Sequence, residues 1–139
     1  MKKLSLTDLG RISIHEFKEA EKIPVCIVLD NIRSLHNVGA AFRTADAFRV
    51  EKIFLCGITG TPPHREIQKT ALGATESVNW EYFEEPLDAI QLLRNQGFSI
   101  VIVEQTTNSI PLHSYPVSDS KRYCLVFGNE VNGVSEAVV

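Results

Sequence analysis

Three positions in one stretch, Asn37, Gly39 and Arg43, have the side chains and the spacing to hold an anion. Val38, Ala41, Phe42 and Ala45 fall at i, i+3, i+4 and i+7, which predicts a helix with one apolar face. His36 or Asn37 can cap its start by accepting from free backbone N–H groups. Gly39 and Arg43 lie one turn apart, and long helical side chains lean toward the N-terminus. Arg43 would then lie over Gly39, where no side chain blocks it. Its guanidinium would join the positive end of the helix dipole, a setting that suits a phosphate. The same residues also fit a plain strand–loop–helix unit, with Gly39 serving close packing and Arg43 solvated.

A second group is Gly128-Asn129-Glu130, directly after an apolar run. Gly128 there would let a ligand approach the backbone. Glu130 can orient Asn37 or a substrate hydroxyl, or it is a solvated turn residue. Cations available for a phosphate backbone are Lys2, Lys3, Arg11, Arg33, Arg43, His64, Arg65 and Lys69. His36 lies in the same loop as Arg33 and reads as a cap rather than a base.

The elements that must position these residues alternate. Leu4 to Lys22 reads as helical, with a capping box at Ser13-Ile14-His15-Glu16. Val25–Leu29, Lys52–Cys56, Ser99–Val103 and Tyr123–Phe127 are apolar, strand-like runs, and Val78–Trp80 is a brief one. Helices are expected from the opening loop to Phe48, over Glu66–Leu72 with Gly73 as its stop, and from Pro86 to Gln96. Ser135 could cap one more. This alternation predicts an α/β fold, a mostly parallel sheet with helices on both faces. Ligand crevices in such sheets lie at the carboxyl ends of strands. The loops Asp30–Asn37, Glu104–Ser109 and Gly128–Gly133 are therefore expected to face one another.

Composition narrows the alternatives. With 139 residues, 44% apolar and 22% charged, the chain reads as one globular domain. Its net charge of −3 does not advertise nucleic-acid binding, so any RNA contact must come from local clusters. No apolar run is long enough to span a membrane, and no secretory signal follows Met1-Lys2-Lys3. Cys26, Cys56 and Cys124 sit in apolar runs at no metal spacing, which predicts reduced thiols and a cytoplasmic setting. The four histidines are scattered, so no metal site is expected. There is no GxxxxGK[ST], no GxGxxG after a strand and no GxSxG elbow. These absences argue against a P-loop NTPase, a standard dinucleotide-binding domain and a serine hydrolase.

Asn37-Val38-Gly39-Ala40-Ala41-Phe42-Arg43 resembles the N-x-G-x-x-x-R first motif of the SpoU (TrmH-type) RNA 2′-O-ribose methyltransferases. Leu125 to Val134 is similar to that family's second motif. Lys69–Ala74 and Glu104-Gln105-Thr106 resemble further family segments, so the likeness runs from Val25 to Val139. The resemblance implies a SPOUT-type knotted fold, a homodimer, S-adenosylmethionine as methyl donor, and tRNA or rRNA as substrate. It implies that Arg43 is catalytic and that Asn37 and Glu130 hold it and the motif loops in place. Val103, Glu104, Gly128 and Asn129 would line the cofactor pocket, and Arg33, His36 and Lys69 would meet RNA.

The family's third motif, a Ser-Leu-Asn segment, does not occur in these residues. The expected division is a short helical extension over 1–24 and a C-terminally incomplete methyltransferase domain over 25–139. On that view residues 1–139 alone would bind S-adenosylmethionine weakly or not at all. A non-catalytic RNA-binding or dimerisation module is the alternative.

Overall fold

The computed structural model describes residues 1–5 and 7–139. Five strands, β1 (Ile23–Asp30), β2 (Val50–Cys56), β3 (Trp80–Phe83), β4 (Phe98–Val103) and β5 (Arg122–Phe127), form one sheet in the order β3-β2-β1-β5-β4. Every pairing is parallel. The chain steps outward from β1 through β2 to β3, then places β5 and β4 on the other side of β1. The strand order thus reverses at β1, and the loops after β1 and β5 lie side by side at the carboxyl edge, where ligand crevices form in such sheets. Leu29, Phe127 and Val103 lie side by side in register, so the loops after β1, β5 and β4 start along one edge.

The core has two layers. Helices α2 (Leu35–Phe48), α3 (Arg65–Ala71) and α4 (Ala74–Ser77) cover Ile27, Leu29, Ile53 and Leu55 on one face. Helix α5 (Pro86–Asn95) covers Cys26, Val28, Phe54, Cys56, Cys124 and Val126 on the other, joined by Val134 and Val138. The predicted apolar stripe of α2 is buried at Val38, Phe42 and Ala45. Burying a side chain such as Phe42 stabilises the fold by roughly 1.5–3 kcal/mol. Gly39 lies against α3: a Cβ there would fall 2.0 Å from Thr70 Oγ1 and 2.3 Å from the Ile67 carbonyl oxygen. The glycine is what lets α2 and α3 touch.

Several expectations give way to local hydrogen bonding. Of the helix expected over Leu4–Lys22, only α1 (Ile14–Glu19) forms, starting at the Ser13 capping box. Leu6 lies outside the described residues. Around it, Ser5 and Asp8 bond to each other through side chain and backbone, and Gly10 takes φ 60°, which favours a turn over a helix. Helix α2 is capped by Ser34, whose hydroxyl accepts from Asn37 N, and not by His36 or Asn37. The brief strand begins at Trp80, not Val78, and takes in Tyr82 and Phe83. Leu72, not Gly73, adopts the left-handed C-cap of α3, and Gly73 opens the short α4. Ser135 starts only a turn, because its hydroxyl and N–H are both engaged by Asp30.

Candidate functional site

The three loops at the carboxyl edge do meet, and carboxylates join them. Glu130 accepts at 2.9 Å from Arg33 N, at 3.0 Å from Ser34 N and at 3.0 Å from Asn37 Nδ2. Asn37 and Glu130 are 93 residues apart in sequence. Partial burial pushes the Glu130 carboxyl up. Hydrogen bonds from the N–H groups of Arg33, Ser34 and Glu130 itself and from the Asn37 amide prevail, and hold it at about 2. Glu130 is therefore ionised throughout the neutral range.

Glu104, at the end of β4, accepts from Val134 N at 3.0 Å and from Gln105 N at 2.7 Å. These donors hold its carboxyl below the ordinary range. Its own carbonyl accepts from the Ser109 hydroxyl, which closes the loop after β4 on itself. A Cβ on Gly133 would fall 2.1 Å from Glu104 Oε2. Over Gly128, the expected opening for a ligand is filled instead: a Cβ there would meet the Gly133–Val134 backbone at 2.2 Å. Gly128 serves the closure of its own loop, which Asn129 and Gly133 complete with paired backbone hydrogen bonds at 2.9 Å. Asn129 accepts from Val131 N and Asn132 N and donates from Nδ2 to the Asn31 carbonyl at 2.7 Å.

Arg43 lies elsewhere. Six residues on from Asn37 it is about 9 Å further along the helix axis. There it lines a groove with Arg11, Ile12, Ile14, Phe48 and Leu72. Its side chain makes no hydrogen bond or ion pair among the described residues, so within one chain Asn37 and Glu130 hold the loops but not Arg43. The space expected over Gly39 is occupied by Thr70 and Ile67, which is why Arg43 cannot lie back across it.

The cationic candidates divide. His36 Nε2 and Lys69 Nζ both meet the Glu66 carboxylate at 2.8 Å, and the His36 carbonyl accepts from the Thr70 hydroxyl. Arg33 gives only its backbone N–H to Glu130. Among the described residues no cluster of histidine, cysteine and carboxylate groups could hold a metal. Among the described residues no helix is long and apolar enough to cross a membrane.

Asp30, Asn31, Ser34 and Thr59 were not among the residues expected at the site, and Ser135 was expected only as a helix cap. Thr59 is buried, donating to the Leu29 carbonyl and accepting from Ile32 N, and so ties the loop after β2 to the loop after β1. Only Asp30 left a signal, as a charged residue ending the apolar run Val25–Leu29.

Known proteins resemble this chain in sequence and in fold. A tRNA (guanosine(18)-2′-O)-methyltransferase from Aquifex aeolicus is 30% identical over 132 residues, covering 91% of this chain and 58% of that protein. A 23S rRNA (guanosine-2′-O-)-methyltransferase from Neisseria meningitidis is 29% identical, covering 80% of this chain and 43% of its own length. The chain thus spans roughly half the length of these curated relatives. The crystal structure of the A. aeolicus TrmH/SpoU tRNA modifying enzyme superposes with a TM-score of 0.75 at 26% identity, over 90% of this chain and 62% of that one. An rRNA methyltransferase from Sinorhizobium meliloti, at 24% identity, shares the fold with a TM-score of 0.76. The sequence pattern of the SpoU rRNA Methylase family matches residues 24–139, and the chain belongs to that family.

Proposed function

We propose that this protein transfers the methyl group of S-adenosylmethionine to a ribose 2′-hydroxyl of tRNA or rRNA. The observation that carries this reading is the 3.0 Å bond between Asn37 and Glu130, which joins the two motifs of a SpoU-family chain into one site. The A. aeolicus and N. meningitidis relatives, named as guanosine 2′-O-methyltransferases, support the same chemistry.

The residues at the β4–β5 edge fit the cofactor. Val103 is 47% exposed and Phe127 36% exposed, an apolar rim suited to an adenine, beside the ionised Glu104. Bound there, S-adenosylmethionine supplies a methyl group made electrophilic by its sulfonium. The protein's own task is alignment and a better nucleophile. Arginine keeps its proton in proteins, with a pKa above about 12, so Arg43 is not the base. Arg43 clamps the neighbouring phosphate and the developing alkoxide, and the 2′-hydroxyl proton leaves to phosphate or water. Arg33, His36 and Lys69 offer further contacts to the RNA.

Because Arg43 lines a groove of its own and makes no bond to the loops that Glu130 joins, the reading includes a homodimer in which one copy's Arg43 serves the other copy's loops. Three buried thiols, each pushed up to about 12 by burial, suit a reducing cytoplasm. The test is methyl transfer from labelled cofactor to bulk tRNA and rRNA. Label on a ribose 2′-oxygen is expected. RNA binding without transfer would overturn the reading in favour of a non-catalytic binding module. Mixing Arg43→Ala with Glu130→Ala protein is expected to restore transfer that neither variant shows alone.

A further inference from the structure

We infer that Asp30 is a positioning residue for the methyl-transfer site, acting through Ser135; the inference rests on the function proposed above. Asp30 ends β1 and is fully buried, yet no cation pairs with it among the described residues. A buried carboxylate is costly unless it is hydrogen-bonded, so its donors show what it is there to hold. Ser135 meets it twice: N–H to Oδ2 at 2.7 Å and the hydroxyl to Oδ1 at 2.7 Å. The third donor is Asn31 Nδ2, to Oδ1 at 2.8 Å.

Two bonds from one residue to both oxygens fix the position and the rotamer of Ser135 together. Asn31 holds the other end of the same loop, since its carbonyl accepts from Asn129 Nδ2. Asn31 Oδ1 also accepts from Ile58 N, which brings the loop after β2 into the assembly. Asn31 adopts φ 55°, a left-handed conformation in which a short amide side chain bonds readily to nearby backbone. The adjacent residues Asp30 and Asn31 therefore clamp the Gly128–Ser135 loop at its start and at its end. Glu130 projects from the middle of that loop onto Arg33, Ser34 and Asn37, and Glu104 meets it at Val134. The distance between the two halves of the site is thus set from the last residue of β1.

The experiment compares Ser135→Ala, Ser135→Thr and Asp30→Asn with the unaltered protein. Ser135→Ala removes one hydroxyl from a half-exposed position and leaves the core intact. Amide hydrogen exchange reads the effect without relying on activity. In Ser135→Ala, the N–H groups of Arg33 and Ser34 are expected to exchange about tenfold faster, while those of Ile53–Leu55 in β2 stay as they were. Ser135→Thr is expected to restore protection, and Asp30→Asn to lose it at least as far as Ser135→Ala. In the methylation assay, KM for S-adenosylmethionine is expected to rise about tenfold in Ser135→Ala with kcat changed less. Unchanged exchange at Arg33 and Ser34, or an equal rise throughout β2, overturns the positioning role. Absence of methyl transfer by the unaltered protein overturns the functional reading alone, and exchange then decides the role of Asp30.

Discussion

The loops at the carboxyl edge of the sheet and the groove beside Arg43 both carry residues of the first motif, yet they are built on opposite terms. At the edge, Asp30, Glu104 and Glu130 each take a backbone N–H from a neighbouring loop, and Asn31, Asn37, Asn129 and Ser135 are bonded across the same loops. In the groove, Arg43 stands beside Arg11 over exposed Ile12, Ile14, Phe48 and Leu72, and no described residue pairs with its guanidinium. At the edge the carboxylates are occupied in holding the loops to one another. The groove presents an unengaged cation, which is what recognition of an outside group requires.

That contrast can be broken most directly by removing one residue from each region. Arg43→Ala is expected to lower kcat by about 10²–10³, the loss found when a donor to a developing oxyanion is deleted. Thermal unfolding of that variant is expected to stay as in the unaltered protein, because the side chain supports nothing inside the chain. Glu130→Ala is expected to lower activity and melting temperature together, since three donors lose their acceptor. If Arg43→Ala melts early, or Glu130→Ala melts normally, the contrast between the regions fails.

Gly39→Ala tests the scaffold beneath both regions. The new methyl would meet the Ile67 carbonyl, which cannot swing aside, so a loss of about 1–3 kcal/mol is expected by denaturant unfolding. An unaltered midpoint would show that the α2–α3 contact has room to spare.

Acid sharpens the comparison with the smallest effect. Glu130 has its carboxyl depressed in the folded state, so its contribution is present above the ordinary value of 4.5 and is lost as pH falls toward about 2. Glu104 is shifted in the same direction. Between pH 5 and 3 the melting temperature is expected to fall more steeply for the unaltered protein than for Glu130→Gln, while Arg43→Ala should follow the unaltered protein. Parallel curves for Glu130→Gln and the unaltered protein would show that its hydrogen bonds add no stability.

Much of the frame was legible in the residues because periodicity reports burial. Val38, Phe42 and Ala45 announced the buried face of α2, and the runs at Val25, Lys52, Ser99 and Tyr123 announced strands. Helical spacing does not report what covers a face, and so it put Arg43 over Gly39 where Thr70 and Ile67 actually lie. Ser34 and Asn37 compete for one cap with similar chemistry, and only the backbone conformation at residue 34 decides between them. The pairing of Asp30 with Ser135, bonded across 105 residues, leaves no local pattern. Bonds between distant loops depend on strand order, which residue spacing does not state.

Glu130 grips residues 33 and 34 by their main chain. An attachment made that way is indifferent to side-chain identity at Arg33, whose guanidinium is left at liberty on the outer surface. On the proposed function, a substitution at position 33 is expected to alter RNA preference without disturbing the loop that carries it. Two main-chain bonds to one carboxylate keep the loop's shape, and the side chain at position 33 is left free to vary.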